Sequence, residues 1–270
     1  FAEEDSFDLS LMQESFASSG FIDTLAEAKQ EVFKGYPSLL CLYKNKDGSF
    51  TRARFLLQGP HYYTILAHGK EAGAALDKFV NSFEIIPFVY GEKKPVTDSG
   101  MYYSVNSTWY PRDGKEKIRL PEGYGKKEDD EESLNSFSRG SYKTELLEND
   151  STGEKIYIRF FKSPRYYYSA DSSRINDFYM TGSAKTDSGF MVRNKKNYAP
   201  DKQTRVWEYE VSDSNSSRMF RTKMWMKGGV GFLLVSEGDT LTPPSSFVRG
   251  FFDSFRPFDT LTGYDPFRKK

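Results

Sequence analysis

Cysteine is almost missing from this chain, and two classes of chemistry go with it. Cys41 stands alone among 270 residues, so neither an internal disulfide framework nor a cysteine zinc cluster can form. It lies in the apolar run Leu39-Leu40-Cys41-Leu42, which predicts a buried, inert thiol rather than a nucleophile. Histidine is nearly as scarce. His61 and His68 flank Tyr62–Ala67 with no further histidine to complete a ligand set, so both are expected to be structural and no metal or cofactor is expected. Net charge is absent as well: 38 basic and 38 acidic residues cancel, which removes the electrostatic footprint of a nucleic-acid binder. No apolar run approaches the ~20 residues that a transmembrane helix needs. No Gly-x-Ser-x-Gly elbow occurs, so a serine triad has no support.

Aromatics are what the chain has in plenty, 18 Tyr and 23 Phe, and such residues suit sheets packed on helices. Arg205–Phe258 carries the clearest pattern. Arg205–Val211 alternates, with Trp207, Tyr209 and Val211 on one face and Glu208 and Glu210 on the other. Arg218–Lys227 and Gly231–Ser236 follow across short turns, so the three strands must pair antiparallel. Gly228-Gly229-Val230-Gly231 lies between strands and does not open a helix, which argues for a turn and against a phosphate cradle. Thr242 is the expected N-cap and Pro243 the first helical residue. Phe247, Val248, Phe251, Phe252 and Phe255 then form one apolar helical stripe.

A similar order occurs at Leu39–Phe88. Phe50 to Gly59 has the spacing of Phe220 to Gly229, and Ala75, Leu76, Phe79, Val80 and Phe83 align with the C-terminal stripe. This self-similarity predicts two related modules: residues 1–90, N-terminally incomplete, and residues 101–270, joined by a linker at 91–100. If module one is partial, the parent protein continues upstream of Phe1. Within module one, Asp23-Thr24 is expected to cap a helix through Phe33 that ends at Gly35. Hairpins are expected at Leu39–Tyr43 with Phe50–Gln58, and at Tyr142–Leu147 with Lys155–Phe161. Residues 112–140, with the block Lys126-Lys-Glu-Asp-Asp-Glu-Glu132, are expected to be a mobile polar loop. A helix is expected over Ala170–Met180.

The order hairpin, helix, three-stranded meander and closing helix ending in Ser-Phe, at Phe220–Phe255 and again at Phe50–Phe83, resembles the PsbP-like fold. The resemblance implies an α+β chain whose antiparallel sheets are covered by helices on both faces, an α/β/α sandwich. It also implies an accessory or binding protein, often exported, and it carries over no catalytic residue. The Asp-Thr-Leu triplets at 23, 239 and 259 are similar to a glycan-acceptor pattern of exported bacterial proteins.

The functional expectation is a non-enzymatic binding or scaffolding module of a larger exported protein, contacting other proteins. Tyr102, Trp109, Tyr166, Tyr167 and Tyr168 are the candidate contact residues, because exposed Tyr and Trp serve recognition surfaces. Two alternatives stand beside it. A glycan-active or glycan-binding protein would use paired carboxylates, with Glu208 and Glu210 as the nearest pair on one strand face. A subunit of a cell-envelope secretion or motility assembly is the other.

Overall fold

The computed structural model of the chain describes residues 2–112, 117–124, 141–162, 190–202, 204–213, 217–227 and 230–258. The protein is α+β and built mostly of antiparallel strands. It divides into two compact units.

Unit 1 comprises Phe1–Pro87 with Asp213–Arg218 and Asp239–Thr242. Helix α1 (Ala2–Ala17) precedes strands β1 (Ile22–Phe33), β2 (Tyr36–Asn45), β3 (Phe50–Gln58) and β4 (His61–Gly69), and helix α2 (Ala74–Asn81) follows. The strands form an up-and-down sheet in chain order. Leu39, Cys41, Tyr43, Ala53, Phe55 and Leu57 alternate onto one face, where Met12 and Phe16 of α1 pack. Leu76 and Val80 of α2 pack with Leu40, Ile65 and Ala67 in a separate cluster. Cys41 is fully buried, and burial pushes its thiol up. His68 joins a polar cluster, its Nδ1 3.2 Å from Asn45 Nδ2 and 3.3 Å from Thr51 Oγ1. Segment 239–242 is held by a buried network. The Tyr36 hydroxyl donates to Asp239 and lies 2.9 Å from Thr242 Oγ1.

The helix expected from Thr24 to Phe33 is strand β1. Its Ala, Glu, Lys and Gln favour helix only by a few tenths of a kcal/mol per residue. Pairing with β2, continuous from Glu27 opposite Leu42 to Phe33 opposite Tyr36, outweighs that preference. Gly35 is therefore not a helix cap. Lys34 and Gly35, with φ of 53° and 93°, make a two-residue turn with both residues left-handed, which matches the twist of the strands it joins.

Unit 2 comprises Phe88–Ser212, Met219–Gly238 and Pro243–Lys270. Strands β5 (Lys94–Asp98), β6 (Tyr103–Ser107) and the two-residue β14 (Arg256–Pro257) form a small sheet ordered β14-β6-β5. Strands β7 (Lys117–Tyr124), β8 (Ser141–Asn149), β9 (Glu154–Lys162), β10 (Phe190–Tyr198), β11 (Thr204–Asp213), β12 (Arg218–Lys227) and β13 (Val230–Asp239) form the large one, ordered β10-β11-β12-β13-β9-β8-β7. Helix α3 (Ser246–Ser254) carries the expected ridge. Phe247, Val248, Phe251, Phe252 and Phe255 are all buried, in one core with Tyr103, Ile156, Ile158 and Phe232. Each such side chain contributes about 1.5–3 kcal/mol when removed from water. The helix begins later than expected: Ser245, not Thr242, is the N-cap, its Oγ accepting the Val248 N–H at 3.2 Å.

The expected duplication is not found. Unit 1 has four strands and unit 2 has ten among the described residues; the chain-order meander β1-β2-β3-β4 is matched only by β10-β11-β12-β13, beyond which the large sheet continues. The closing helices also differ: α2 buries only Leu76 and Val80, and Phe79, aligned with the fully buried Phe251, is 57% exposed. The PsbP-like sandwich is not found either, since the large sheet runs on through β9, β8 and β7 and carries the single described helix α3. Alternating hairpins and an amphipathic helix are local patterns, and local patterns do not fix strand order. The stretch 91–100 contains β5, and the stretch 112–140 contains β7, registered against β8. The block 126–132, the helix expected at 170–180, Gly228-Gly229 and the triplet at 259 lie outside the described residues.

Gly231 sits within β13, directly across from Phe161. A Cβ there would fall inside the contact distance of both the Phe161 ring and Met226 Sδ. Gly231→Ala is therefore expected to destabilise the protein by about 1–3 kcal/mol in urea unfolding. Gly20→Ala, whose Cβ would meet nothing within 4 Å, is the control expected to stay close to wild type.

Candidate functional site

Strand β1 is the terminal strand of the unit 1 sheet, so among the described residues only β2 pairs with it. A terminal strand presents a row of unsatisfied backbone donors and acceptors. This one is twelve residues long, and every side chain from Asp23 to Gln30 is exposed. Register irregularities fall between Ile22 and Thr24 and between Leu25 and Glu27; beyond them the strand is regular to Phe33. Apolar side chains stand in water along it: Leu25 is 42% and Val32 74% exposed, and the neighbouring Phe21 49%.

Two arginines of β3 hold this strand. Residues 52 and 54 lie on one face of β3, and Glu27 and Glu31, four apart on a regular strand, meet that face. Arg54 is 1% exposed. Its Nη1 donates to Glu31 Oε1 at 2.7 Å and to Ser38 Oγ at 2.9 Å, while its Nη2 donates to Asn81 Oδ1. The guanidinium carbon lies 4.0 Å from the centroid of the Phe33 ring. Arg52 repeats the arrangement nearer solvent, with Nε 2.6 Å from Asp77 Oδ1 and Nη1 3.0 Å from Glu27 Oε2. Burial alone would raise the Glu31 carboxyl. Hydrogen bonds from Arg54 and Lys29, and their charges, reverse that and hold it below the ordinary value of 4.5.

The candidate contact aromatics lie elsewhere. Tyr102, whose backbone is left-handed at φ 59°, is half-buried with its ring 5.5 Å from Phe160. Trp109 is half-buried against Phe247, centroids 4.9 Å apart. Both pack on the unit 2 core, and Tyr166, Tyr167 and Tyr168 lie outside the described residues.

Glu208 and Glu210 share a face of β11, as expected, but each is committed to partners. Glu208 accepts from the Tyr198 hydroxyl at 2.8 Å and pairs with Lys223 Nζ at 3.1 Å. Glu210 Oε1 accepts from Arg221 Nε at 3.1 Å and from Arg221 Nη2, and its other oxygen accepts from Asn194. Burial would raise the Glu208 carboxyl, but the Lys223 charge, the Tyr198 and Lys223 hydrogen bonds and Lys196 bring it below 4.5. A glycosidase acid needs the opposite shift.

Sequence reasoning missed β1 as a site because it assigned the segment to a helix. The signal available was Lys34-Gly35 between two runs that can alternate, with Glu27, Lys29 and Glu31 at a spacing of two.

The chain matches no family model and no curated protein. Among solved structures it is similar to the apo structure of the T6SS immunity protein TplEi from Pseudomonas aeruginosa. That match covers 99% of this chain and 86% of that one, at 10% identity and a TM-score of 0.29. It is also similar to a chain of the Tle4–Tli4 complex, over 97% of this chain and 85% of that one, at 9% identity and a TM-score of 0.27. Both are distant, so the site is argued from its own residues. No helix among the described residues is long and apolar enough to cross a membrane.

Arg54→Ala is expected to cost about 3 kcal/mol, the low end for stripping a partner from a buried pair, because Glu31 is partly open to water. The contribution of Glu31 depends on its depressed carboxyl: it is fully present above about pH 4.5 and is lost as pH falls through the folded-state value. The stability difference between wild type and Glu31→Gln, measured by chemical unfolding, should therefore be constant near neutrality and shrink toward zero in acid.

Proposed function

We propose that this chain is a protein-binding module that performs no chemistry of its own and docks its partner along β1. The observation that carries the reading is the length and openness of that strand. From Glu27 to Phe33 it is regular, with no partner on its outer side among the described residues. A strand of a partner protein can add there, taking affinity from main-chain hydrogen bonds and specificity from side chains on alternate faces. Leu25 and Val32 supply apolar contact area, while Glu27 and Glu31 are already engaged by Arg52 and Arg54. The edge therefore needs no charged partner.

The competing reading, glycan hydrolysis, needs one carboxyl kept protonated and a second facing it across the sugar. The ion pairs on Glu208 and Glu210, with Glu208 held below its ordinary range, argue against that assignment.

Capture on the immobilised wild-type protein, compared with a Leu25→Glu/Val32→Glu variant, tests the proposal. Both positions are solvent-exposed, so the variant is expected to fold normally. Its affinity for the captured protein should fall at least about tenfold, and the backbone amides of 27–33 should gain hydrogen-exchange protection in the wild-type complex. Full affinity in the variant with no added protection at 27–33 would overturn it.

A further inference from the structure

Unit 2 has a groove of about 350 Å³ between β10 and α3, and its charge is unlike that of β1. Glu208, Glu210, Arg221 and Thr222 of β11 and β12 belong to it, and those two carboxylates are neutralised by Lys223 and Arg221. What remains along the lining is Lys195 and Lys196 from β10 and Arg249 from α3, against Asp253 alone. Three cations therefore face one carboxylate. Neither lysine is within ion-pair distance of a carboxylate among the described residues, although the Lys196 charge adds to the field on Glu208. All of this charge lies within about a Debye length of the groove, close enough to act together.

We propose that this groove is a second binding site, taking an acidic peptide segment in extended conformation that pairs along the edge of β10. Three observations carry it. Among the described residues β10 terminates the large sheet, and every residue from Arg193 to Tyr198 is exposed, so no described strand takes up its outer backbone groups and an added strand can. Second, Lys195 and Lys196 both line the groove, although neighbouring side chains on a regular strand point to opposite faces. An irregularity lies immediately before them: Asn194 is left-handed at φ 52°, and its side chain donates to Glu210. A left-handed non-glycine residue costs roughly 1 kcal/mol or more and marks a re-aimed strand. Third, lysines on an edge deter neutral and basic strands from pairing, which leaves an acidic strand as the one the edge admits. The groove is at the small end of ligand cavities, which run from about 300 to 1,000 Å³. It fits the side chains of one strand.

The probe is a fluorescein-labelled peptide of alternating Glu and Thr, roughly eight residues long, the size of an ordinary strand, measured by anisotropy on the full chain. It should bind at least about tenfold more tightly than the matching Lys/Thr peptide, and its affinity should fall as salt rises. Lys195→Glu/Lys196→Glu, at exposed positions, should weaken it about tenfold or more. The β1 variant Leu25→Glu/Val32→Glu should bind it normally, which keeps this site separate from the β1 reading. Equal binding of the two peptides, no binding of the acidic one, or full binding by the lysine variant would overturn the proposal. So would stronger binding of single-stranded DNA that displaces the peptide.

Discussion

The guanidinium of Arg54 is the constraint on which unit 1 depends. Burying a cation is unfavourable unless its donors are met, and here they are met by three different elements: Glu31 of β1, Ser38 of β2 and Asn81 of α2. A planar fork can reach three directions at once; an ammonium on a flexible stem would not be pre-organised to do so. The fit has a cost, since Nε is buried without a hydrogen-bond partner among the described residues. In return, a segment with helical composition is fixed as a strand, and the helix is fastened to the sheet by the same side chain. Arg52 adds a second rung through Glu27 and Asp77. The outer edge of β1 can stay open because its inner side is held this firmly.

Unit 2 solves the corresponding problem with aromatics and one buried lysine. Phe247, Phe251 and Phe255 face Trp109, Tyr103 and Phe232 at centroid separations of 4.9–5.8 Å, so the helix is positioned largely by edge-to-face and tilted packing. Lys223, 4% exposed, donates to the Phe252 carbonyl at 2.7 Å and pairs with Glu208. A cation at the C-terminal end of a helix meets the negative end of the dipole. Glu208 thereby has a structural reason to be where it is. Two carboxylates on one strand face suggest acid–base chemistry in sequence, but in space each is the counter-ion of a neighbouring strand's cation.

The elements whose pattern is local were legible from residues alone. The ridge of α3, the three-stranded meander before it, the hairpins across Asn45 and Asn149 and the buried state of Cys41 all follow from periodicity and turn chemistry. Elements decided by distant partners were not legible. β1 is a strand because of β2 and two arginines more than twenty residues away, and its own propensities point the other way. β7 sits in a polar stretch whose order comes from β8. The apparent repeat fails for the same reason: Phe79 and Phe251 occupy equivalent sequence positions, but only unit 2 supplies a core for the second. Ser245 displaced Thr242 as the cap because both are suitable residues and Thr242 is engaged by Tyr36.

The edges of β1 and β10, both open among the described residues, differ in how their charge is used, and that difference separates protection from recognition. Sheet edges are commonly guarded by lysines, irregular registers and short length. β10 carries lysines and, in place of an irregular register, the left-handed Asn194, and its lysines face whatever approaches. β1 is long, its irregularities are confined to the first few residues, and its acidic side chains are drawn to arginines of β3 and to Lys29. With those charges engaged, little along residues 27–33 repels an incoming strand. A twelve-residue edge left this way is an aggregation hazard unless a partner covers it, and the ion pairs that disarm it are the same ones that hold it in the sheet. Stability and availability at β1 therefore have a single cause, which is why the proposed partner surface is this strand and not the aromatics of unit 2.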